Sequence, residues 1–394
     1  MSAIDGAREL LAWLGAAAPI GVWSSAGRAN LIGEHTDYNE GFVLPFAIDR
    51  RTYAAVAARG DRIIRVASTF DPDPVEVDSA ALAELFAGEP GAAVERGDVP
   101  EWAAYPLGVA WAALRGEPAP RGLDIAIASD VPVGAGLSSS AAIEGAAAAA
   151  FDELWSLGLA PLERAKAGRT AENEAVGAPT GIMDQVSSIM GRADAATFLD
   201  CRTLDVETVD LGFAREGLEV LVMDTRVAHS HSTGGYRDRR DACERAAAAM
   251  GVAALRDVAV SDLDRAAELM DEVTFRRARH IVTENARVLD TVRALRESGP
   301  RAIGDLLLAS HASMRDDFEI SVPELDLAVD TAMSAGAIGA RMTGGGFGGA
   351  AIALIDHDRV DEVSSRVAAA FAEAGYGAPR TFTVRPSEGA RRDA

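Results

Sequence analysis

Twelve consecutive residues gather unusual chemistry: Gly27-Arg-Ala-Asn-Leu-Ile-Gly-Glu-His-Thr-Asp-Tyr38 sets a guanidinium (Arg28), two carboxylates (Glu34, Asp37), an imidazole (His35) and a phenol (Tyr38) around two glycines. The run is too polar for a core strand. Carboxylates and an imidazole on a short loop suit a small polyol, whose hydroxyls they bind, and an arginine beside them steadies a developing anion.

A second stretch, Val131-Pro-Val-Gly-Ala-Gly-Leu-Ser-Ser-Ser-Ala-Ala142, runs from a strand pattern through glycines and serines into an alanine-rich helix. A helix start left open in this way presents free N–H groups and the positive end of the macrodipole to an anion. A plain Ser-capped helix fits Ser138, Ser139 and Ser140 equally well, so on the residues alone the two readings stand level. Further on, Pro179-Thr-Gly-Ile-Met-Asp-Gln185 places Asp184 before a short apolar run, where an aspartate is most often an N-cap. Glu163, Glu172 and Glu174 lie on an expected helix over 160–176, whose default is a solvated face. His229-Ser-His231 invites a metal, but no third ligand clusters with it. Arg341-Met-Thr-Gly-Gly-Gly-Phe-Gly-Gly349 has five glycines between two short apolar strands, as a tight hairpin or a backbone that approaches a ligand closely would.

Composition removes several alternatives. The 394 residues are 48% apolar, enough for two domains, and the net charge of −22 disfavours nucleic acid and anionic membranes as partners. Lys166 is the sole lysine and sits in Glu163-Arg-Ala-Lys-Ala-Gly168, which is neither a Walker loop nor a protein-kinase strand, so both of those designs and Schiff-base catalysis drop out. Cys201 and Cys243 are isolated, with no zinc-ribbon or disulfide spacing, and imply a reducing, cytoplasmic setting. The acidic start, with Asp5 and Glu9, lacks a secretion signal, and the alanine run at 141–150 is too short and too weakly apolar to span a membrane.

The elements expected to position these groups are an amphipathic helix at 3–15, strands over 41–48, 52–57 and 62–67, and surface loop around a short helix at 70–100. Then come a helix over 101–114, a half-buried strand at 123–129, and strands near 195–200 and at 218–224. Helices follow at about 260–296, 301–317 and 322–335, then an amphipathic helix at 358–374, a strand at 381–384 and a disordered tail beyond roughly 386.

The first stretch resembles, without a mismatch, the galactokinase signature of the superfamily that includes homoserine, mevalonate and phosphomevalonate kinases. The order Pro-x-x-x-Gly-Leu-Ser-Ser-Ala resembles that superfamily's phosphate-binding motif, and Gly181-Ile-Met-Asp-Gln185 a galactokinase segment. Together with the glycine-rich third motif, the resemblance covers roughly residues 20–350. It implies an α+β two-domain fold with the active site in the interdomain cleft. The division expected is 1–192, carrying the sugar signature and phosphate loop, and 193–394, with ferredoxin-like βαβ elements, the glycine-rich third motif and a last strand free to pack on the N-terminal half.

The resemblance further implies phosphorylation of the C1 hydroxyl of α-D-galactose by ATP, with no obligate protein partner. Asp184 is then the base and Arg28 its electrostatic partner. Glu34, His35, Asp37, Gly181 and Tyr236 contact the sugar, while Gly134, Gly136, Leu137, Ser138, Ser139, Ser140 and Ala141 hold the nucleotide phosphates. Trp102 lies beside the adenine. Glu172, in an Ala-Glu-Asn run twelve residues before Asp184, joins Ser140 in holding Mg2+. Two departures appear at the third motif: Gly345 stands where an alanine is common, and Ala350 where a cysteine is, which excludes a cysteine role there. A kinase for N-acetylgalactosamine or L-arabinose would share most motifs. A catalytically dead sugar-and-ATP sensor would lack residues of the Ser138–Ala142 run, which is complete here.

Overall fold

The computed structural model describes residues 2–227 and 232–394. Its thirteen strands are β1 (Gly21–Asn30), β2 (Phe42–Val43), β3 (Pro45–Ala58), β4 (Ile63–Ser68), β5 (Val75–Asp78), β6 (Leu123–Ser129), β7 (Ala195–Asp200), β8 (Val206–Asp210), β9 (Leu218–Asp224), β10 (Gly339–Thr343), β11 (Ala350–Asp356), β12 (Arg380–Val384) and β13 (Arg391–Arg392). They form a six-stranded sheet in the order β13-β1-β3-β6-β4-β5, a four-stranded sheet β10-β11-β9-β12 and a three-stranded sheet β2-β7-β8. All pairings are antiparallel except β4 with β6.

The large sheet is covered on both faces, which is why β1 is buried along its whole length. The opening helix Ala3–Trp13 lays Ala7, Leu10 and Leu11 over Val22, Ala55 and Ala126. On the other face the alanine-rich helix Ser139–Trp155 and the helix Glu101–Leu114 pack around Ala54, Val56, Ile125 and Ile127. Small side chains let the Ser139–Trp155 backbone come close: a Cβ on Gly145 would lie 2.3 Å from the Ser25 hydroxyl. In the C-terminal half, the helices Pro323–Ser334 and Val360–Ala374 cover the four-stranded sheet. A further apolar cluster joins Leu31, Ile32, Phe46, Val131 and Leu137 to Val220, Val222, Ile352 and Leu354, so the two halves share a core directly beneath the ends of the three motifs.

Several elements depart from the sequence expectation for physical reasons. The two strands expected at 41–48 and 52–57 run together as β3, because Arg51 in the polar gap is buried and spends its charge on the Glu388 and Gly389 carbonyls. The helix expected over 260–296 breaks at Met270, where Asp271 adopts an extended backbone and caps a new helix, Glu272–Ser298, by accepting from the Thr274 N–H at 3.0 Å. The helix over 160–176 is regular only for Pro161–Thr170 and continues as a wider π turn, Ala171–Val176. The tail is ordered: β13 pairs Arg391 and Arg392 with Ser24 and Trp23 of β1, and the Val22 N–H donates to the Ala394 carbonyl at 2.9 Å. The strand at 380–384 pairs with β9. No helix among the described residues is long and apolar enough to cross a membrane.

Candidate active site

The site begins with an irregularity in β1. The β1–β3 register shifts between Ala26 and Arg28, and the phosphate loop lies against the displaced backbone: the Arg28 N–H donates to the Leu137 carbonyl at 3.0 Å. The Arg28 side chain is thereby aimed at two motifs at once. Its Nε and Nη2 donate to Asp184 Oδ1 and Oδ2 at 2.7 and 2.8 Å, and its Nη1 donates to the Gly136 carbonyl at 2.5 Å. Arg28 is 5% exposed and Asp184 22%, so the pair sits at the floor of an open site. Asp184 is the second residue of the helix Met183–Met190 and does not cap it.

The Ser-capped-helix alternative fails at Ser138. This residue occupies the cap position of the Ser139–Trp155 helix in a left-handed conformation, φ 51°, and makes no capping bond. Its hydroxyl donates instead to Asp184 Oδ2. Gly134 (φ 77°), Gly136 (φ 69°) and Ser138 have positive φ while Ala135 and Leu137 between them do not. That alternation turns successive N–H groups toward one concavity, the arrangement that binds phosphates. The third motif crosses the loop here: a Cβ on Gly344 would lie 2.9 Å from the Gly136 carbonyl, and one on Gly136 would lie 3.0 Å from that of Thr343. Leu137 is a core residue and contributes backbone alone; Ala141 is buried behind Ser139 and Ser140.

Ser140 and Glu172 meet. The Ser140 hydroxyl donates to Glu172 Oε1 at 3.0 Å, while Oε2 accepts from the Thr180 hydroxyl and from Gln185 Nε2, both at 2.7 Å. The π turn carries Glu172 into this buried position, and burial, followed by the nearby Asp184 charge, raises its carboxyl above the usual range. No cation partners it among the described residues. A hydroxyl beside an uncompensated carboxylate fits a small divalent ion that brings phosphate oxygens with it. The chain offers no group of three His, Cys, Asp or Glu side chains that would hold a metal unaided, within the described residues.

At the other end, Asp37 lies flat against Gly181, where a Cβ would stand 1.9 Å from Oδ2. One Asp37 oxygen accepts from the Tyr38 N–H at 2.9 Å. Burial and then the charge of Asp184 push the Asp37 carboxyl up to about 6. Tyr236, half-buried on the helix Ser232–Met250, packs its ring 5.0 Å from His35 and 5.4 Å from Tyr38, and burial, followed by the carboxylates of Asp37 and Asp184, raises its phenol. The result is a polar cluster of Asp37, Asp184, Gly181 and Tyr236.

Two residues of the first motif face elsewhere. Glu34 is 1% exposed, and its oxygens are taken by Arg341, by Asn30 Nδ2 at 2.6 Å and by the Gly344 N–H at 2.8 Å. Its carboxylate thereby joins the first motif to the third. His35 is similarly committed. The Gly345 carbonyl, 3.3 Å from Nε2, only accepts, so Nε2 carries the proton and Nδ1 accepts from the Tyr38 hydroxyl at 2.9 Å. Burial, and then the neighbouring His280, hold the imidazole down at about 3, so it stays neutral.

Trp102, half-buried on the Glu101–Leu114 helix, donates from Nε1 to Asp71 Oδ2 at 3.1 Å. His229 and His231 lie outside the described residues. Arg341, beyond the residues that sequence spacing singles out, is completely buried and donates to the Asn30 and Leu31 carbonyls at 3.0 and 3.1 Å. The available signal was an arginine in an apolar strand, between Ala340 and Met342.

Three family models match parts of the chain. A galactokinase galactose-binding signature matches residues 14–58, the N-terminal domain model of GHMP kinases residues 104–192 and their C-terminal model residues 291–373. A galactokinase of Streptomyces coelicolor is 52% identical over 95% of both chains, and one of Mycobacterium tuberculosis 43% identical over 93% of this chain and 98% of its own. The crystal structure of Lactococcus lactis galactokinase complexed with galactose superposes with a TM-score of 0.88 at 31% identity, covering 98% of each chain.

Proposed function

The chain belongs to the galactokinase family of the GHMP kinases, and on that premise we propose that it transfers the γ-phosphoryl group of ATP to the C1 hydroxyl of α-D-galactose, giving galactose 1-phosphate and ADP. The observation that carries the chemistry is the Arg28 fork, which holds the Asp184 carboxylate beside the glycine-rich cradle. With the sugar among Asp37, Gly181 and Tyr236, its C1 hydroxyl meets Asp184. That carboxylate accepts the hydroxyl proton as the oxygen attacks the γ-phosphorus and the bond to the β-phosphate oxygen breaks. Arg28, on the shared edge of sugar site and cradle, opposes the negative charge that spreads over the transferring group. No covalent enzyme intermediate enters.

The loop N–H groups from Gly134 to Ser140 hold the phosphates, in place of the lysine the sequence lacks. Ser140 and Glu172 would hold Mg2+, whose chemistry when bound is to neutralise charge on the β- and γ-phosphates. Free thiols at Cys201 and Cys243 and the use of ATP support a cytoplasmic setting.

The test is ADP release with Mg-ATP across galactose, N-acetylgalactosamine, arabinose, glucose and mevalonate, run beside Asp184→Asn. We expect galactose-selective release, reduced about 10²–10⁴-fold by the substitution with little change in galactose binding. Near-normal turnover by the variant would remove the base. A wild-type protein stabilised by galactose and ATP yet silent with every sugar would be a sensor.

A further inference from the structure

Behind Glu172 lies a carboxyl group with no part in the reaction just described. Glu144, one turn beyond Ser140 on the Ser139–Trp155 helix, is completely buried and has no cation beside it among the described residues. Its Oε1 has no hydrogen-bond partner, and Oε2 accepts from Gln185 Nε2 at 2.9 Å. That same nitrogen donates to Glu172 Oε2 at 2.7 Å. Gln185 is fully buried as well and follows Asp184 directly in the chain.

Burying a carboxyl with one amide for company is costly, and an aliphatic side chain would fill the space without that cost. Orientation is what Glu144 adds. An amide nitrogen carries two hydrogens about 120° apart in one plane. Pinning one hydrogen to Glu144 aims the other at Glu172, whereas the flipped amide would point its oxygen at two carboxyl oxygens. The side opposite is closed by the Pro161–Thr170 helix, where a Cβ on Gly168 would lie 3.0 Å from Gln185 Cγ and 3.1 Å from Glu144 Oε2, so the bridge has no room to swing.

We propose that Glu144 is a positioning residue: through the Gln185 amide it fixes the Glu172 carboxylate, and with it the register between the metal-holding pair Ser140–Glu172 and Asp184. The proposal rests on the kinase reading above.

It is tested without turnover by the affinity of the protein–ADP complex for Mn2+, measured by water-proton relaxation, alongside kcat, galactose KM and Tm. Glu144→Leu and Gln185→Met should each weaken Mn2+ binding by about tenfold or more, the usual effect of losing a group that orients a metal ligand. Galactose KM should stay within about twofold, and the double variant should be no worse than either single one, because both cut the same link. Glu144→Gln keeps an oxygen for the same hydrogen and should return Mn2+ affinity to within about threefold of wild type. Losses that multiply in the double variant overturn the proposal, as does a Glu144→Leu protein with wild-type Mn2+ affinity and only a lowered Tm. Should Glu144→Leu not fold, wild-type affinity in Gln185→Met overturns it equally. A wild-type protein that fails to release ADP with galactose sinks the kinase reading; normal wild-type turnover with unaffected variants sinks this inference alone.

Discussion

Asp37 and Asp184 lie in one polar cluster, and only one of them has a guanidinium fork. Burial, and then the neighbouring Asp184 charge, keep the proton on the Asp37 carboxyl up to a pH of about 6. Protonated, it loses acceptor capacity that a sugar hydroxyl needs. The sign follows: in the free protein Asp37 ionises as pH rises through about 6, so galactose capture improves over that interval and weakens below it. The acid form predominates at pH 5.5, so binding galactose there should release a proton. We expect kcat/KM for galactose to fall about tenfold per pH unit below that point, and calorimetric binding enthalpies at pH 5.5 to vary with the ionisation enthalpy of the buffer. A profile flat to pH 5, or a fall confined to the KM for ATP, would take Asp37 out of sugar binding. His35 contributes nothing to this limb, because its imidazole is neutral throughout.

The loops that carry the motifs are legible in sequence because each packs its chemistry locally: charges and glycines a few residues apart on one turn, ahead of an unmistakable helix or strand. Arg28, the Gly134–Ser140 cradle, Asp184 and Glu172 converge in the structure from such stretches. What sequence spacing does not carry is which way a side chain turns once the loops meet. Glu34 sits among ligand-facing types, and its spacing gives no sign of Arg341, the partner 307 residues away. That pair clamps the first motif to β10 and the third motif, with Glu284 a further 3.8 Å from the guanidinium. Removing the Glu34 carboxylate strips buried Arg341 of its nearer counter-ion and leaves only the more distant Glu284 among the described residues, at a cost of up to about 3–5 kcal/mol. Glu34→Ala should thus lower Tm by roughly 4–6 °C and loosen the third motif over the cradle. The galactose KM should change less than it does in Asp37→Ala. An unaltered Tm with a large rise in galactose KM would return the Glu34 carboxylate to the sugar.

At the scale of the whole chain, the surprise is where the polypeptide ends. A polar, arginine-rich tail reads as disordered because it holds no apolar period, yet its order comes from groups far upstream that need acceptors. Arg51 is 3% exposed, and among the described residues its guanidinium donates to Ser24 and to the Glu388 and Gly389 carbonyls, both carbonyls at 2.6 Å. Arg392 pairs with Glu153 on the Ser139–Trp155 helix and donates to the Ile20 carbonyl, so the last residues bind both the sheet edge and the helix that begins at the phosphate cradle. Ending the chain at Pro386 would strip these acceptors and turn β1 from an inner strand into an exposed edge. A buried charged group left unsatisfied costs about 1–3 kcal/mol, and the lost ladder adds to it. The truncated protein should therefore melt several degrees lower and self-associate in sedimentation, while keeping kcat within about twofold at low temperature. That last expectation follows from distance along β1: β13 reaches only Trp23 and Ser24, whereas Arg28 is held at the far end by Asp184 and Gly136. An unchanged Tm would mean the tail merely rests on the sheet; a collapsed kcat with unchanged Tm would mean that the strand edge transmits position to Arg28.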